Sequence, residues 1–335
     1  MRAVVIARPG GPEVLEVEER PTPMPRAGEI LVRVRATAIN RADLLQRQGL
    51  YPAPPGAPSD IPGLEYAGEV AAVGPESGSG SGAPRWKEGD RVFGITGGGA
   101  YAEFVTVDAA TAARVPDRLD WKEAAAAPEA FMTAHDALVV QARVQRDESV
   151  LIHAVGSGVG LAGAQVAAAW GARPFGTART AEKVEKAKRY GLLDGVVIQG
   201  DVEALVPACE RWTSGKGIDV TLDLVGGDYL GASIRASAPR GRIMLIGTVA
   251  GRTSTIPTGM VLGKRLTLRG TVLRSRSLDE KRAVTAAFAA EIVPLLESGV
   301  LTPTIDSVFD LDQAGAAHER VAGNATFGKV VLRVS

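Results

Sequence analysis

The stretch from residue 149 to residue 178 constrains the fold of this chain more than any other part of its sequence. It contains an apolar strand (SVLIHA), a turn rich in glycine (VGSGVG), a helix of small aliphatic residues, and a second strand (ARPFGTA). A glycine turn between a strand and a helix lets the backbone approach a pyrophosphate and points the free N–H groups of the helix at it. The stretch therefore predicts a dinucleotide-binding βαβ unit.

The glycines of this turn fit the dinucleotide fingerprint in two phasings. Gly158, Gly160 and Gly163 match G-x-G-x-x-G, whereas Gly156, Gly158 and Gly160 form a tighter set. A purely structural turn is the alternative, but the position between a strand and a helix favours cofactor binding. The predicted contacts in the turn are Gly156, Ser157, Gly158, Val159 and Gly160.

The end of the second strand indicates which dinucleotide is bound. An acidic residue there would hydrogen-bond a ribose 2′-hydroxyl, but the chain has Arg179, Thr180 and Lys183 instead. Arg and Lys suit a 2′-phosphate, and Thr180 can donate a hydroxyl hydrogen bond or cap the next helix. The alternative is an ordinary helix start with solvated basic residues. We expect NADPH rather than NADH.

The remainder of the central region alternates strands and helices, which predicts parallel βαβ units. Ligands in such sheets lie at the carboxyl ends of the strands. The residues at two further strand ends are therefore candidate cofactor contacts, although turn chemistry explains the glycines equally well. These candidates are Leu224, Gly247 and Thr248.

The first 115 residues instead favour short strands separated by Gly and Pro, which predicts a β-rich, barrel-like domain. Within it, Asn40 either caps a short helix or turns its amide towards a ligand. Tyr51 is either a packing aromatic or a polar-tipped lining residue. The Gly- and Ser-rich segment from residue 75 to residue 84 predicts a flexible loop.

Charge and cysteine content exclude several classes of protein. The chain has 335 residues, with 38 basic and 38 acidic side chains, so there is no overall attraction for nucleic acid. The single cysteine, Cys209, excludes an intrachain disulfide and a cysteine-rich zinc site. The sequence contains no apolar run long enough to span a membrane. We expect a cytoplasmic protein with no membrane or nucleic-acid partner.

Several motifs along the chain are similar to those of one enzyme family. From Arg2 to Val334 the chain resembles the medium-chain dehydrogenases/reductases, specifically the zinc-independent quinone oxidoreductase branch that includes zeta-crystallin. Within that branch it is most similar to the tumour-suppressor-induced NADPH quinone oxidoreductases of animals. The motifs that carry the resemblance are residues 38–49 (AINRADLLQRQG), 62–68 (PGLEYAG), 127–134 (APEAFMTA), the glycine turn, 273–276 (LRSR) and 328–332 (GKVVL).

The resemblance implies an α/β fold with two domains and an active cleft where they meet. A GroES-like substrate domain would comprise residues 1–125 and 268–335, and a Rossmann domain with a doubly wound parallel sheet would comprise residues 126–267. The implied activity is NADPH-dependent reduction of quinones or related carbonyl compounds. Reduction of activated C=C bonds, as in enones, is the nearest rival, and a non-catalytic NADPH-binding or structural role is a second. A homodimer joined through the Rossmann sheets is also implied.

The resemblance also assigns individual residues. Asn40 and Tyr51 match positions beside the nicotinamide, and we assign them to orienting the acceptor and lining its site. Zinc-dependent relatives carry Gly-His-Glu where this chain has Gly63-Leu64-Glu65, and a cysteine in place of Asn40, so we expect no metal. The remaining matches are to positions that contact the cofactor, and they are Thr133, Ile198, Leu273, Arg274 and Lys329. At the position of Ile198, relatives often have a tyrosine.

Overall fold

The computed structural model describes residues 1–75 and 86–334. The loop predicted for residues 75–84 lies outside these ranges except for its first residue. The chain forms two compact units, the first comprising Met1–Met132 with Leu273–Ser335 and the second comprising Thr133–Val272. The boundaries of the units thus follow residues 132 and 272, whereas the sequence-based division follows residues 125 and 267.

Fifteen strands lie in the part of the chain that the structure describes. They are β1 (Arg2–Ile6), β2 (Leu15–Glu19), β3 (Glu29–Ala38), β4 (Glu65–Val73), β5 (Arg91–Ile95), β6 (Phe104–Asp108), β7 (Ala112–Arg114), β8 (Ser149–Ile152), β9 (Arg173–Ala178), β10 (Asp194–Val197), β11 (Ile218–Asp223), β12 (Ser237–Leu245), β13 (Thr267–Gly270), β14 (Ile305–Asp310) and β15 (Lys329–Arg333).

Eleven α-helices accompany these strands in residues 1–75 and 86–334. They are α1 (Arg41–Arg47), α2 (Trp121–Ala125), α3 (Pro128–His135), α4 (Gly158–Ala169), α5 (Ala181–Ala187), α6 (Leu205–Thr213), α7 (Asp228–Ala236), α8 (Thr258–Lys264), α9 (Leu278–Glu291), α10 (Val293–Glu297) and α11 (Ala314–Ala322). None of them is long and apolar enough to cross a membrane.

The second unit is built on a parallel sheet with the strand order β10-β9-β8-β11-β12-β13. In order of appearance this is 3-2-1-4-5-6, the order of a dinucleotide-binding Rossmann sheet, so the predicted fold class is confirmed. The direction of the strand order reverses between β8 and β11. Because ligands bind beyond the carboxyl ends of strands at this point, the turn after β8 is well placed for a cofactor.

Side-chain size explains how helix α4 packs on this sheet. Residues 160–167 of α4 are buried, and all but Leu161, Gln165 and Val166 are Gly or Ala. A Cβ added to Gly163 would lie 2.8 Å from Cδ2 of Leu222 on β11, so the Leu222 side chain would have to shift to admit a larger residue. Strand β8 is buried throughout, as expected for the interior of a parallel sheet covered on both faces.

The first unit contains a seven-stranded sheet with the order β14-β15-β3-β4-β5-β7, and β6 also pairs with β3. Antiparallel ladders join most of these strands, whereas β14 and β15 run parallel. The C-terminal strand β15 pairs with β3, so the tail of the chain completes this sheet. As a result, residues that are almost 300 positions apart in the sequence become neighbours.

Candidate functional site

The turn after β8, residues 153–157, places the start of helix α4 where a phosphate can reach it. Ser157 is the N-cap of α4, and its hydroxyl accepts a hydrogen bond from the N–H of Gly160 at 3.1 Å. Ala154 has a positive φ of 50°, uncommon for a residue with a side chain. A Cβ on Gly160 would lie only 2.5 Å from the carbonyl oxygen of Ala154. The turn is therefore closed tightly around glycine, as a phosphate-binding turn requires.

Both glycine phasings remain compatible with this geometry. Gly160, the last glycine of the tighter set, approaches backbone atoms, and Gly163, the last glycine of G-x-G-x-x-G, packs α4 on the sheet. At Gly156 a Cβ would lie 3.0 Å from the side chain of Lys183, which brings this basic residue beside the turn. Val159, Ser157 and Gly158 are partly exposed.

The residues predicted for the 2′-phosphate lie where β9 ends and α5 begins. Arg179 and Thr180 are exposed, and Lys183 is partly exposed. The Thr180 hydroxyl accepts a hydrogen bond from the N–H of Lys183 at 3.3 Å, so it caps α5. Because the same hydroxyl keeps its own hydrogen as a donor, capping and phosphate contact are compatible.

The three contacts predicted at two other strand ends have open surface, but Ile198 does not. Leu224 and Gly247 are partly exposed and Thr248 is exposed. The side chain of Ile198 is 2% exposed and packs in the core with Leu151 and other apolar residues. Burial argues against a direct contact of the Ile198 side chain with a cofactor, because an isoleucine is driven into the core where a tyrosine can keep its hydroxyl in water. The cofactor contact at this position stays a prediction. Thr133, at 7% exposure, is also buried.

A buried ion pair lies at the centre of the first unit. The Lys329 ammonium is 2.6 Å from Oε1 of Glu65, and the two side chains are 6% and 0% exposed. Lys329 also donates to Oδ1 of Asn40 at 2.5 Å and to the carbonyl oxygen of Ile39 at 3.1 Å. These three acceptors use all three ammonium hydrogens. The charge of Lys329 is already neutralised by a carboxylate within the unit, and the contact of Lys329 with the cofactor stays a prediction.

Asn40 belongs to the same network. Its Nδ2 donates to Oε1 of Glu65 at 2.9 Å and lies 3.3 Å from the carbonyl oxygen of Ala38. Asn40 is also the N-cap of α1, and its backbone N–H donates to Oδ2 of Asp43 at 2.8 Å. Asn40 is thus at the start of a helix, and its amide is hydrogen-bonded to Glu65 and Lys329. That this amide orients a ligand stays a prediction.

Asp43 is the second buried carboxyl group. It is 0% exposed, and its other oxygen accepts from the N–H of Gly63 at 3.1 Å. Burial raises the pKa of Asp43 to about 6, although the N–H donors of Asn40 and Gly63 act in the opposite direction. Together, Asn40, Asp43, Glu65, Glu129 and Lys329 are called the Glu65 cluster below.

Glu129, at the start of α3, is like Asp43 and Glu65 a member of this cluster that the sequence does not single out as a site residue. Its backbone N–H donates to Oε2 of Glu65 at 2.9 Å, while its side chain remains partly exposed. Burial, and then the negative charge of Glu65, raise the pKa of Glu129 to about 8. The available signal was a single carboxylate in the otherwise apolar run AAAAPEAFM.

Tyr51 and Arg274 form an adjoining pair. The Arg274 guanidinium lies 5.0 Å from the centroid of the Tyr51 ring and donates to the carbonyl oxygens of Gly97 (2.9 Å) and Tyr51 (3.3 Å). It also donates to Oε1 of Gln46 at 2.5 Å. Burial raises the pKa of the Tyr51 hydroxyl, whereas the charge of Arg274 lowers it. Arg274 and Leu273 are both buried at 7% exposure.

Two buried histidines are held in hydrogen-bond networks and thus have a structural role. His153 lies between the hydroxyls of Thr177 (3.1 Å) and Ser233 (2.8 Å) in the second unit. His318 lies between Arg47 (3.3 Å) and Tyr101 (3.1 Å) in the first. In residues 1–75 and 86–334, no group of three His, Cys, Asp or Glu side chains could hold a metal ion.

Two protein-family models match the chain. The alcohol dehydrogenase GroES-like domain matches residues 26–117, and the zinc-binding dehydrogenase domain matches residues 158–290. The first match confirms that the β-rich unit is GroES-like. The second begins at the start of α4 and covers five of the six strands of the Rossmann sheet, β9 to β13.

Curated proteins and solved structures are similar over the full length. A quinone oxidoreductase of Pseudomonas aeruginosa is 34% identical, and the alignment covers 99% of each chain. The structure of Escherichia coli quinone oxidoreductase complexed with NADPH is 30% identical with a TM-score of 0.86, covering 99% of this chain and 100% of that one. A structure described as an NAD-dependent alcohol dehydrogenase is 32% identical with a TM-score of 0.84, covering 100% of both.

Proposed function

Because the chain belongs to the quinone oxidoreductase family of the medium-chain dehydrogenases/reductases, we propose that it reduces quinones or related electron-poor carbonyl compounds with NADPH. We assign it to the zinc-independent, zeta-crystallin-like branch. The observation that carries this proposal is the Glu65 cluster, in which the Lys329 ammonium supplies the positive charge between Asn40 and Glu65.

The donor groups of this cluster support the proposal of zinc independence. One matching family model is named for zinc binding, and zinc-dependent relatives use a histidine and a cysteine where this chain has Leu64 and Asn40. A leucine has no donor atom, and both ends of the Asn40 amide are hydrogen-bonded.

NADPH fits the second unit. The N-terminus of α4 and the turn closed around Gly160 would hold the pyrophosphate. Exposed Arg179 and the hydroxyl of Thr180 would bind the 2′-phosphate, with Lys183 beside the turn. The bound cofactor supplies the hydride, which is the difficult part of the chemistry.

The first unit would handle the acceptor. We assign Asn40, fixed by Lys329 and Glu65, to orienting the acceptor or a water molecule, and Tyr51 to lining the site under Arg274. A fixed orientation matters because hydride transfer needs the reacting atoms in a near-attack arrangement. The single cysteine, Cys209, is buried, and the chain has no second cysteine for a disulfide, which is compatible with the proposed cytoplasmic location.

Reduction of an activated C=C bond is a second candidate because Tyr51 could protonate the product. In that case Tyr51→Phe should lower the rate with enones by about 10²-fold or more. A change of less than about threefold would leave Tyr51 as a lining residue and favour quinones. The fluorescence change on NADPH binding shows whether the variant still folds and binds.

We also propose a homodimer formed through the exposed edge of the Rossmann sheet. Strand β13 is the outermost strand beside β12, and all four of its residues are exposed, including Leu268. Unpaired edge strands of this kind favour pairing with another chain. A monomer by light scattering at micromolar concentration would contradict this proposal.

The deciding experiment measures oxidation of NADPH and NADH, followed at the nicotinamide absorbance, with panels of quinones and enones. We expect quinone-dependent oxidation with a preference for NADPH. Activity restricted to enones would move the assignment to alkene reduction, and NADPH binding without turnover would favour a non-catalytic role. A preference for NADH would agree with the relative named for NAD and contradict the phosphate site.

Arg179→Ala tests the phosphate site directly. Loss of a charged hydrogen bond to the 2′-phosphate should weaken NADPH binding by about tenfold or more and leave NADH unchanged. Arg211→Ala, which removes an equally exposed arginine of the same unit, is the matched control and should alter neither cofactor. Equal losses for both cofactors in Arg179→Ala would refute the assignment.

A further inference from the structure

We infer that Glu129 is the acid that delivers the proton to the reduced acceptor. This inference rests on the proposed reductase function and adds to it the catalytic group that the sequence left unidentified. Its first support is position. Glu129 is at the start of α3, and its backbone N–H donates a hydrogen bond to the Glu65 carboxylate, which also accepts one from the Asn40 amide.

Accessibility separates Glu129 from the other two carboxyl groups of the Glu65 cluster. Glu65 is 0% exposed, and its oxygens accept from Lys329, Asn40 and the Glu129 backbone. Asp43 is also 0% exposed, with both oxygens engaged by backbone N–H groups. A carboxyl group so enclosed cannot touch a substrate. The Glu129 side chain, by contrast, is partly exposed.

The charges around Glu129 favour its protonated form at neutral pH. It faces the negative charges of Glu65 on β4 and Asp43 on α1, the positive charges of Lys329 on β15 and Arg274, and the Tyr51 hydroxyl. Burial has the largest influence and the charge of Glu65 the next largest, and the positive charges of Lys329 and Arg274 offset them only in part. The resulting pKa of about 8 lies close to neutral pH, where a general acid works best.

Reduction of a quinone by hydride transfer requires one proton to give the neutral hydroquinone. Hydride transfer from NADPH to a quinone leaves NADP⁺ and a hydroquinone anion. The O–H bond of the Glu129 carboxyl then breaks as a new O–H bond forms on the anion. This releases neutral hydroquinone, and water reprotonates the carboxylate. For an enone, the same proton would go to the carbon of the enolate.

The first test compares pH–rate profiles of Glu129→Gln and the wild type with one quinone and one enone. Wild-type kcat/KM should fall as pH rises through about 8, because the acid form is lost. In Glu129→Gln the rate should drop by about 10²-fold and lose this pH dependence. Glu129→Asp should recover part of the rate together with the fall at high pH. Glu88→Gln, an exposed carboxylate outside the cluster, should behave like the wild type.

The second test needs no turnover. In protein labelled with ¹³C at the glutamate carboxyl carbon, one resonance should titrate near pH 8 and be absent from Glu129→Gln. If every glutamate resonance titrates below about pH 6, the inference is wrong. It is also wrong if the wild type is active and Glu129→Gln keeps its rate or the wild-type pH profile, and in that case the proposed function survives. A wild type without turnover would instead refute the proposed function, and the inference with it.

Discussion

The glycine turn of the second unit and the Glu65 cluster of the first are built on opposite principles. The turn contains no charged side chain, and it offers backbone N–H groups at the start of α4. The cluster concentrates three carboxyl groups and an ammonium group in the interior, held by hydrogen bonds of 2.5 to 2.9 Å. One region is shaped by the absence of side chains, and the other depends on the charge of each side chain.

This difference determines how each region tolerates change. A turn that works through backbone geometry fails when a Cβ is added, whereas a charged cluster fails when a charge loses its partner. Buried ions are costly to leave unpaired, so the cluster should be the more sensitive of the two. The substitutions below test that order, beginning with the largest expected effect.

Lys329→Met should be the most damaging single change. It leaves the fully buried Glu65 carboxylate without its counterion, which typically costs about 3–5 kcal/mol of stability. Urea unfolding, followed by circular dichroism, measures the loss. The matched control is Lys188→Met, which breaks the exposed pair between Lys188 and Glu185 and should cost about 1 kcal/mol or less. Equal losses would mean that Glu65 is protonated and that the cluster is not an ion pair.

Gly160→Ala should have the next largest effect and should act through shape alone. The added Cβ would meet the carbonyl oxygen of Ala154 at 2.5 Å and Cα of Val155 at 2.8 Å. Both are backbone atoms that cannot rotate away, so we expect a loss of about 1–3 kcal/mol. Isothermal titration should also show NADPH binding weakened by about tenfold or more.

Gly263→Ala is the control for this substitution. Gly263 lies within helix α8, and an added Cβ meets no atom within 4 Å. Alanine is the better helix former, so this variant should gain about 0.5–1 kcal/mol. If Gly160→Ala were as stable as the wild type and bound NADPH normally, the tight turn would not be what selects glycine.

The same contrast explains what the sequence could predict. The glycine turn, the cap at Thr180 and the parallel sheet depend on local patterns within about 30 residues, and they are found where the sequence places them. The Rossmann order follows from these units because strand–helix–strand connections permit few arrangements.

The Glu65 cluster could not be derived in this way. Its five members come from α1, β4, α3 and β15 and from the residue before α1, and only the pairing of β15 with β3 brings Lys329 to Asn40. No spacing rule connects such distant residues. From the sequence, Lys329 is therefore predicted only as a cofactor contact, and no role is predicted for Glu129. Ile198 was placed by analogy with a tyrosine, although its own hydrophobicity puts it in the core.

Thr180→Ala should have a smaller effect, confined to the cofactor region of the second unit. Removing the N-cap of α5 should cost about 1 kcal/mol, because the N–H of Lys183 loses its side-chain acceptor. Thr180→Ser keeps the hydroxyl and should match the wild type in thermal unfolding. If the hydroxyl also contacts the 2′-phosphate, Thr180→Ala, but not Thr180→Ser, should weaken the binding of NADPH more than that of NADH.

The smallest effect concerns the neutral imidazole of His318, a polar group of the first unit that depends on having no charge. Arg47 can only donate, so Nδ1 of His318 accepts from it, and Nε2 carries the proton towards Tyr101. Burial, and then the charge of Arg47, lower the pKa of His318 to about 3. As pH falls below about 6.5, His318 becomes protonated in the unfolded chain but stays neutral in the native state. Proton binding therefore favours the unfolded chain, and the free energy of unfolding decreases as pH falls.

Between pH 7 and pH 6 this one group should remove about 0.7 kcal/mol of stability. Urea unfolding at the two pH values measures the change, and His318→Gln should reduce the loss by about that amount. Burial also lowers the pKa of His153 in the second unit, so His153→Gln should reduce the acid loss in the same direction. If the double variant kept the full wild-type loss, buried carboxyl groups rather than neutral histidines would control the response to acid. The Glu65 cluster would then determine this property as well.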